Sequence, residues 1–322
     1  MAVLVTGAAG FIGFHTSKAL LDKGQEVVGV DNLNDYYPPK LKRDRLAQLT
    51  NREGFRFIEA DIADHDALTA ALENAEIEHI VHLAAQAGVR YSIENPFAYV
   101  RSNLMGHVCI LELARALKPR HTVYASSSSV YGANEKTPFS ETDMTDAPVS
   151  LYGATKKSDE LLSASYAKLY KTPLTGLRFF TVYGPWGRPD MAYWLFTKAI
   201  LAGEPIRVFN HGKMARDFTY IDDIVDGVLA ALAKPPTDPE TPHKVYNLGN
   251  NTPEPLGKLI GTLENALGRE AEKRMEPMQK GDVERTWADL ARSGPDLGFQ
   301  PKIKLEDGLQ RFVDWYRAYY DV

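Results

Sequence analysis

Short β-branched runs alternate along this chain with longer stretches of helical period, and that alternation is its strongest constraint. The predicted strands are Val3–Thr6, Glu26–Asp31, Phe55–Ala60, His79–Ala84, His121–Ser126 and Leu174–Thr181. Between them lie the helical patterns 12–23, 63–74, 103–117 and 153–170. Strands separated by helices form βαβ units, so the sheet is parallel and covered on both faces. The expected fold is α/β, a doubly wound parallel (Rossmann) sheet with a smaller, discontinuous C-terminal substrate domain. Residues 1–180 are expected to form the doubly wound domain. Residues 181–322, where glycines, prolines and aromatics cluster, are mainly a substrate domain, and a strand near 244–249 returns to the first. The Pro-rich 234–242 reads as a surface loop and the charge run KLKRDR at 40–45 as a solvated helix start.

Composition excludes several classes. The chain has 322 residues, 37 Lys plus Arg against 42 Asp plus Glu, and no basic block, which argues against a nucleic-acid partner. No apolar run reaches the ~18 residues of a transmembrane helix, so no membrane partner is expected. The chain enters a strand at Ala2 with no basic leader ahead of it, and its single cysteine, Cys109, sits in a buried-helix pattern. A cytoplasmic protein is expected. No metal site is expected.

The first strand runs into TGAAGFIG at 6–13. Gly7 permits a tight turn, Gly10 lets backbone approach a pyrophosphate, and Gly13 lets helix pack on sheet. The helix start at Phe11 and Ile12 then offers amides and a positive dipole end to phosphate. Asp31, 18 residues past Gly13 at the end of the second strand, is placed to accept bonds from ribose hydroxyls and to repel a 2′-phosphate. NAD is therefore the expected cofactor, with Asn32 beside Asp31. Asp61 and Ile62 follow the third strand toward the adenine. The small Leu83, Ala84 and Ala85 leave room across the strand ends.

Tyr152 and Lys156 form Y-x-x-x-K, four residues apart on one helix face. A tyrosine serves as a base near neutral pH when a neighbouring cation favours its phenolate. The serines Ser126, Ser127, Ser128 and Ser129 end the fifth strand and offer a hydroxyl to a reacting substrate oxygen.

With these residues in place, the sequence resembles the nucleotide-sugar epimerases among the extended short-chain dehydrogenase/reductases. The resemblance rests on TGAAGFIG at 6–13, HLAAQAGVRYS at 82–92, SSSSVYG at 126–132, YGATK at 152–156 and RDFTYIDD at 216–223. Within that group it is most similar to the UDP-glucuronate 4-epimerases, through VDNLNDYY at 30–37, VYGPWGRPDMA at 182–192 and QKGD at 279–282. The resemblance implies an isomerase that inverts C4 of UDP-glucuronic acid to give UDP-galacturonic acid, through a transient 4-keto sugar. It implies Tyr152 as base, Lys156 as its electrostatic partner and Ser127 as the aligned hydroxyl, with Ser128 and Ser129 as alternatives. Related dehydratases carry an Asp-Glu pair at Ser128 and Ser129, and related decarboxylases a Glu before VYG. Neither acid is present here.

On the substrate side, Arg188 is the leading anchor for the sugar carboxylate, with Thr181 as a further donor. The competing explanation of Arg188 is a loop salt bridge with Asp190, and Arg90 is its rival as anchor. Arg216 is expected at the diphosphate, Asp282 at a ribose, Val208 and Phe209 at the uracil, Gln279 nearby, and Gln86 toward sugar or cofactor. The alternative functions are UDP-glucose 4-epimerase, UDP-glucuronate decarboxylase and a non-catalytic dinucleotide sensor. The resemblance further implies a homodimer built on the Tyr152 helix.

Overall fold

A computed structural model describes all residues, Met1–Val322. Seven parallel strands make the main sheet: β1 (Ala2–Thr6), β2 (Glu26–Asp31), β3 (Phe55–Glu59), β4 (Ile77–His82), β5 (His121–Ser127), β6 (Leu174–Phe179) and, much later, His243–Leu248. Their spatial order runs β3, β2, β1, β4, β5, β6 and then His243–Leu248, which pairs with β6 from His243 opposite Leu174 to Leu248 opposite Phe179. The order reverses between β1 and β4, and the crevice above that switch point is where a doubly wound sheet binds ligands.

The central strands carry buried apolar residues because both faces are covered. Val3, Leu4 and Val5 of β1, Val81 of β4 and Val123 of β5 are all buried. The helices Phe11–Asp22, Pro39–Thr50, Gly106–Leu117, Leu151–Tyr170 and Ile221–Leu232 supply the layers. His65–Leu72, which begins later than the 63 expected from periodicity, is capped by Asp64, whose side chain accepts from the Ala67 amide at 3.1 Å.

Two expected elements divide. The strand predicted over Leu174–Thr181 stops at Phe179, and β7 (Thr181–Tyr183) joins a second sheet. The chain turns there because the Phe180 amide bonds Leu248 O at 3.1 Å, after which Thr181 pairs with Phe218. That second sheet continues through β9 (Ala215–Tyr220) to β11 (Pro253–Pro255). Short β8 (Ile206–Val208) pairs with β12 (Lys273–Met275), and β10 is the returning strand His243–Leu248. The helix predicted from Asn103 instead opens with a wide π-turn over Val100–Met105.

The charge run at 40–45 lies within the helix Pro39–Thr50 rather than wholly in solvent. Lys40, Arg43 and Asp44 face outward, but Lys42 is buried and Arg45 is fully buried. Arg45 falls between Leu41 and Leu49 at four-residue spacing, on the inward stripe. Its guanidinium bonds Ala9 O, Tyr37 Oη, Trp186 O and Gly187 O. It therefore ties the glycine loop to the segment 184–191. An aromatic layer backs the same segment: the Trp186 ring lies 5.1 Å from both Trp315 and Tyr319 of the C-terminal helix Leu305–Tyr320.

Candidate active site

A single cavity of about 990 Å³ opens over the switch point. That is the upper end of the ~300–1,000 Å³ of ligand clefts. One end is floored by Gly7, Gly10, Phe11, Ile12 and Gly13, with Asp31, Asn32, Asp61 and Ile62 beside them. Gly7 has φ of 73°, and a Cβ there would meet Ala84 N at 2.8 Å; a Cβ on Gly13 would meet Gly7 O at 2.0 Å. The cradle is thus closed to side chains and open to phosphate. The first helical bond is Phe14 N to Gly10 O, and Gly10 has no side-chain cap, which leaves the leading amides of a twelve-residue helix free to receive an anion.

Asp31 is held at the end of β2 by the Ala9 amide at 3.1 Å and the Leu33 amide at 2.9 Å. Asp61 accepts from Arg101 at 3.0 Å and from the Ala63 amide at 2.9 Å, so it reaches the cavity already engaged. Leu83, Ala84 and Ala85 follow β4, which ends at His82, rather than closing it. These features fit a dinucleotide: a phosphate cradle, an acid at the second strand and a wall of small residues.

The catalytic candidates converge on the middle of the cavity. Ser150 caps the helix Leu151–Tyr170 by accepting the Gly153 amide at 3.0 Å, which sets Tyr152 in the first turn. Tyr152 and Lys156 both line the cavity, as do Ser126, Ser127, Ser128 and Ser129. The Ser127 hydroxyl lies 3.2 Å from that of Ser129 and accepts the Ser129 amide. The Ser126 hydroxyl instead donates to Glu160 at 2.6 Å, which Arg178 grips with two bonds of 2.8 Å. Only the backbone of Ser126 is left for a ligand.

Gln86 lines the cavity with its backbone fixed by Asn103, whose side chain bonds both its amide and its carbonyl and also Thr155. The π-turn is what aims Asn103 inward.

Two arginine settings separate at the sugar end. Arg188 donates to Asp190 at 3.0 and 2.8 Å, and the Tyr36 hydroxyl donates to the same carboxylate at 3.0 Å. The loop salt bridge is therefore present, and Arg188, Asp190 and Thr181 also line the cavity. Burial disfavours the charge of Arg188, but Asp190 outweighs it and holds the pKa above the ordinary value; Tyr152 is near enough to contribute. Asp190 is correspondingly pulled below the usual carboxylate range against its own burial. Arg90 belongs to another group. Its guanidinium lies 5.1 Å over the Phe209 ring and 3.9 Å from Asp282, which is 3.8 Å from Arg216. Burial pushes the Arg216 pKa down.

Two expected ligands do not reach the cavity. Val208 is 2% exposed and packs into the core, and the residues of this stretch that touch the cavity are Ile206, Arg207 and Phe209. Gln279 turns inward with its Oε1 buried and unpartnered, in the turn that brings Asp282 round. Sequence reasoning missed Tyr36, Tyr37, Lys42, Tyr91, Phe196 and Arg207 on the walls. Tyr36 stands inside a quoted motif, so proximity to Asp31 was a usable signal; Phe196 and Arg207 carry none.

A phosphate cradle at a parallel sheet's switch point, with a tyrosine, a lysine and serines across the cavity from it, defines a dinucleotide-dependent enzyme acting on a hydroxyl-bearing substrate. Residues 3–249 match the NAD dependent epimerase/dehydratase family, and the chain belongs to it. It is 50% identical to a probable UDP-glucuronate 4-epimerase of Rhizobium meliloti, over 99% of this chain and 98% of that one. The fold superposes with a TM-score of 0.92 on a UDP-glucuronic acid 4-epimerase from Bacillus cereus in complex with UDP-glucuronic acid and NAD, at 37% identity and 99% and 100% coverage. It also matches a UDP-glucose 4-epimerase of Thermotoga maritima bound to UDP-glucose, with a TM-score of 0.90, 31% identity and the same coverages.

Proposed function

We propose that this protein is an NAD-dependent isomerase that inverts C4 of UDP-glucuronic acid, interconverting it with UDP-galacturonic acid. The observation that carries the reading is Arg188: a half-buried guanidinium on the cavity wall within electrostatic reach of Tyr152, in a site whose serine run contains no carboxylic acid. A guanidinium suits a sugar carboxylate, and hydroxyls alone promote neither elimination nor loss of CO₂.

Residues 1–180 with the strand His243–Leu248 hold the cofactor, and the remainder holds most of the UDP-sugar. Gly7, Gly10 and Gly13 with the amides of Phe11 and Ile12 cradle the pyrophosphate, and Asp31 takes the ribose. NAD, when bound, supplies the two-electron chemistry, taking a hydride from C4 and returning it to the opposite face. Tyr152 removes the proton of the C4 hydroxyl and later restores it. Lys156 supplies the nearby positive charge, and Ser127 orients the C4 oxygen. Arg188 and Thr181 hold the carboxylate, while Arg216 and Arg90 face the diphosphate, Asp282 a ribose and Phe209 the base.

The finer placement is a cytoplasmic homodimer. Ile93, Phe97, Val100 and Met105 are exposed on the segment 91–105, and Leu161 and Leu169 on the helix packed against it, with Phe97 82% exposed. A second copy of the same surface covers both. No helix is long and apolar enough to cross a membrane.

Purified protein incubated with UDP-glucuronic acid and no added NAD tests the reading, with the product identified by NMR. UDP-galacturonic acid is the expected product. Release of CO₂ with a pentose product, or conversion of UDP-glucose alone, overturns it.

A further inference from the structure

Beneath the tyrosine and the lysine lies a layer of buried charge that the mechanism above does not use. Lys156 is almost wholly buried and spends two of its three ammonium protons inward, on Ala125 O at 3.0 Å and Asp159 Oδ2 at 3.1 Å. Asp159 is 0% exposed, does not touch the cavity, and its Oδ1 has no partner. We propose that Asp159 is a positioning residue for the catalytic pair: a buried counter-ion that aims the Lys156 ammonium and damps its pull on the Tyr152 phenolate.

The surroundings leave Asp159 as the one charge able to do this. On its own helix Glu160 is committed to Arg178 of β6 and Ser126 of β5. From the helix Gly106–Leu117, His107 bonds Ser163 at 2.8 Å, and His82 of β4 lies 5.3 Å from it, ring to ring. From β5 and β10, Tyr124 and His243 bond one another at 2.8 Å. Burial keeps all three histidines neutral by lowering their pKa values, and keeps Tyr124 protonated. The layer therefore holds two matched pairs, Arg178 with Glu160 and Lys156 with Asp159. Protonating Asp159 leaves Lys156 as the only unmatched cation, facing the tyrosine on its own helix face.

Burial pushes the Asp159 carboxyl up to about 6, with Lys156 opposing. Its proton thus arrives on the acid side of neutrality, within the range of the acid limb of the rate profile. Each proton taken by Asp159 strengthens the lysine's effect and delays protonation of Tyr152. The acid limb of the wild-type rate profile is consequently shallow.

The inference rests on Tyr152 as base, and the test separates the two. The NAD-loaded protein, without sugar, is titrated by near-ultraviolet tyrosinate absorbance, with Tyr152→Phe as the blank. In Asp159→Asn the Tyr152 midpoint falls by about one pH unit, about tenfold more phenolate on the acid side, and the acid limb of kcat/KM moves with it and steepens. A midpoint that stays or rises in a variant that retains NAD and its unfolding temperature overturns the proposal. Should Asp159→Asn fail to fold, the wild-type titration decides: a curve broader than one group supports the coupling, and a clean single-group curve refutes it. Because no sugar is present, a different UDP-sugar substrate leaves this result standing, whereas no tyrosinate signal lost in Tyr152→Phe removes the base assignment itself.

Discussion

Replacing Arg45 by methionine tests how the two halves of the cavity are joined. The guanidinium is fully buried and makes five hydrogen bonds: one to Ala9 O, one to Tyr37 Oη, two to Trp186 O and one to Gly187 O. Methionine fills much of the volume but donates nothing, so three carbonyls lose their partners where no solvent reaches. An unsatisfied buried polar group costs ~1–3 kcal/mol, and the relieved desolvation of the charge offsets part of the sum, leaving roughly 3–5 kcal/mol. At ~2.1 cal/mol/K of unfolding entropy per residue, a chain of this length loses roughly 4–7 °C of Tm. Calorimetry measures that loss directly. A second readout is specific to the position: because Ala9 lies in the glycine loop and Trp186 beside Arg188, the variant retains less NAD and has a raised KM for UDP-glucuronic acid. A Tm within about 1 °C of wild type would show that the guanidinium contributes no net stability at this junction.

Arg188→Ala removes the proposed carboxylate anchor and is expected to lower kcat/KM on UDP-glucuronic acid by ~2–5 kcal/mol of transition-state stabilisation with NAD content unchanged, checked by steady-state kinetics and cofactor extraction. Asp190→Asn releases Arg188 from its internal partner, so KM falls roughly tenfold while kcat also falls; unchanged values of both exclude Asp190 from control of the anchor. Burial lowers the pKa of His15, His121 and His243 to about 4 and of His107 to about 3. These folded values lie below the unfolded one, so the stability they contribute is present above about 6.5 and is lost as pH falls toward 4. Asp159 and Asp217, raised to about 6, run the other way but are fewer. Tm therefore drops steeply from pH ~6.5 to ~4, and a flat profile there refutes the neutral buried histidines. The proposed dimer face at 91–105 predicts a dimer for the wild type and a monomer for Phe97→Glu by light scattering, and a wild-type monomer refutes it.

The parallel sheet was legible because short β-branched runs alternate with helical periods, and the phosphate cradle because glycine is demanded where backbone meets backbone, as Gly7 meets Ala84. Tyr152 and Lys156 were legible because helical spacing fixes a shared face. Tertiary partners were not. Arg45 resembles a solvated residue within KLKRDR, and only the flanking Leu41 and Leu49 mark its side as inward. Val208 was misplaced because which residues of this stretch reach the cavity depends on how β8 is packed, and β8 pairs with β12, sixty-odd residues on. Asp159, three residues past the lysine, has the look of a surface i,i+3 acid until the helix is packed on β5 and the helix Gly106–Leu117.

The pairing of Arg188 with Asp190 also bears on how inversion avoids decarboxylation. Oxidising C4 of a uronic acid gives a β-keto acid, which loses CO₂ when the carboxylate can shed its charge into the carbonyl. A carboxylate held by a guanidinium keeps that charge localised, and the hydroxyls of Ser127, Ser128 and Ser129 offer no acid to assist the loss. Yet a grip that localises charge also resists the ring rotation that exposes the second face. As the proposed anchor, Arg188 would meet both demands: its Nε and Nη2 are already engaged by Asp190, so a substrate carboxylate would receive only part of the fork. Tyr36 fixes Asp190 from the cofactor side, and Trp186 and Arg45 fix the loop from behind, so the partial grip does not depend on a mobile side chain. On the proposed assignment, one ion pair on the cavity wall would hold the acid firmly enough to keep it and loosely enough to turn it.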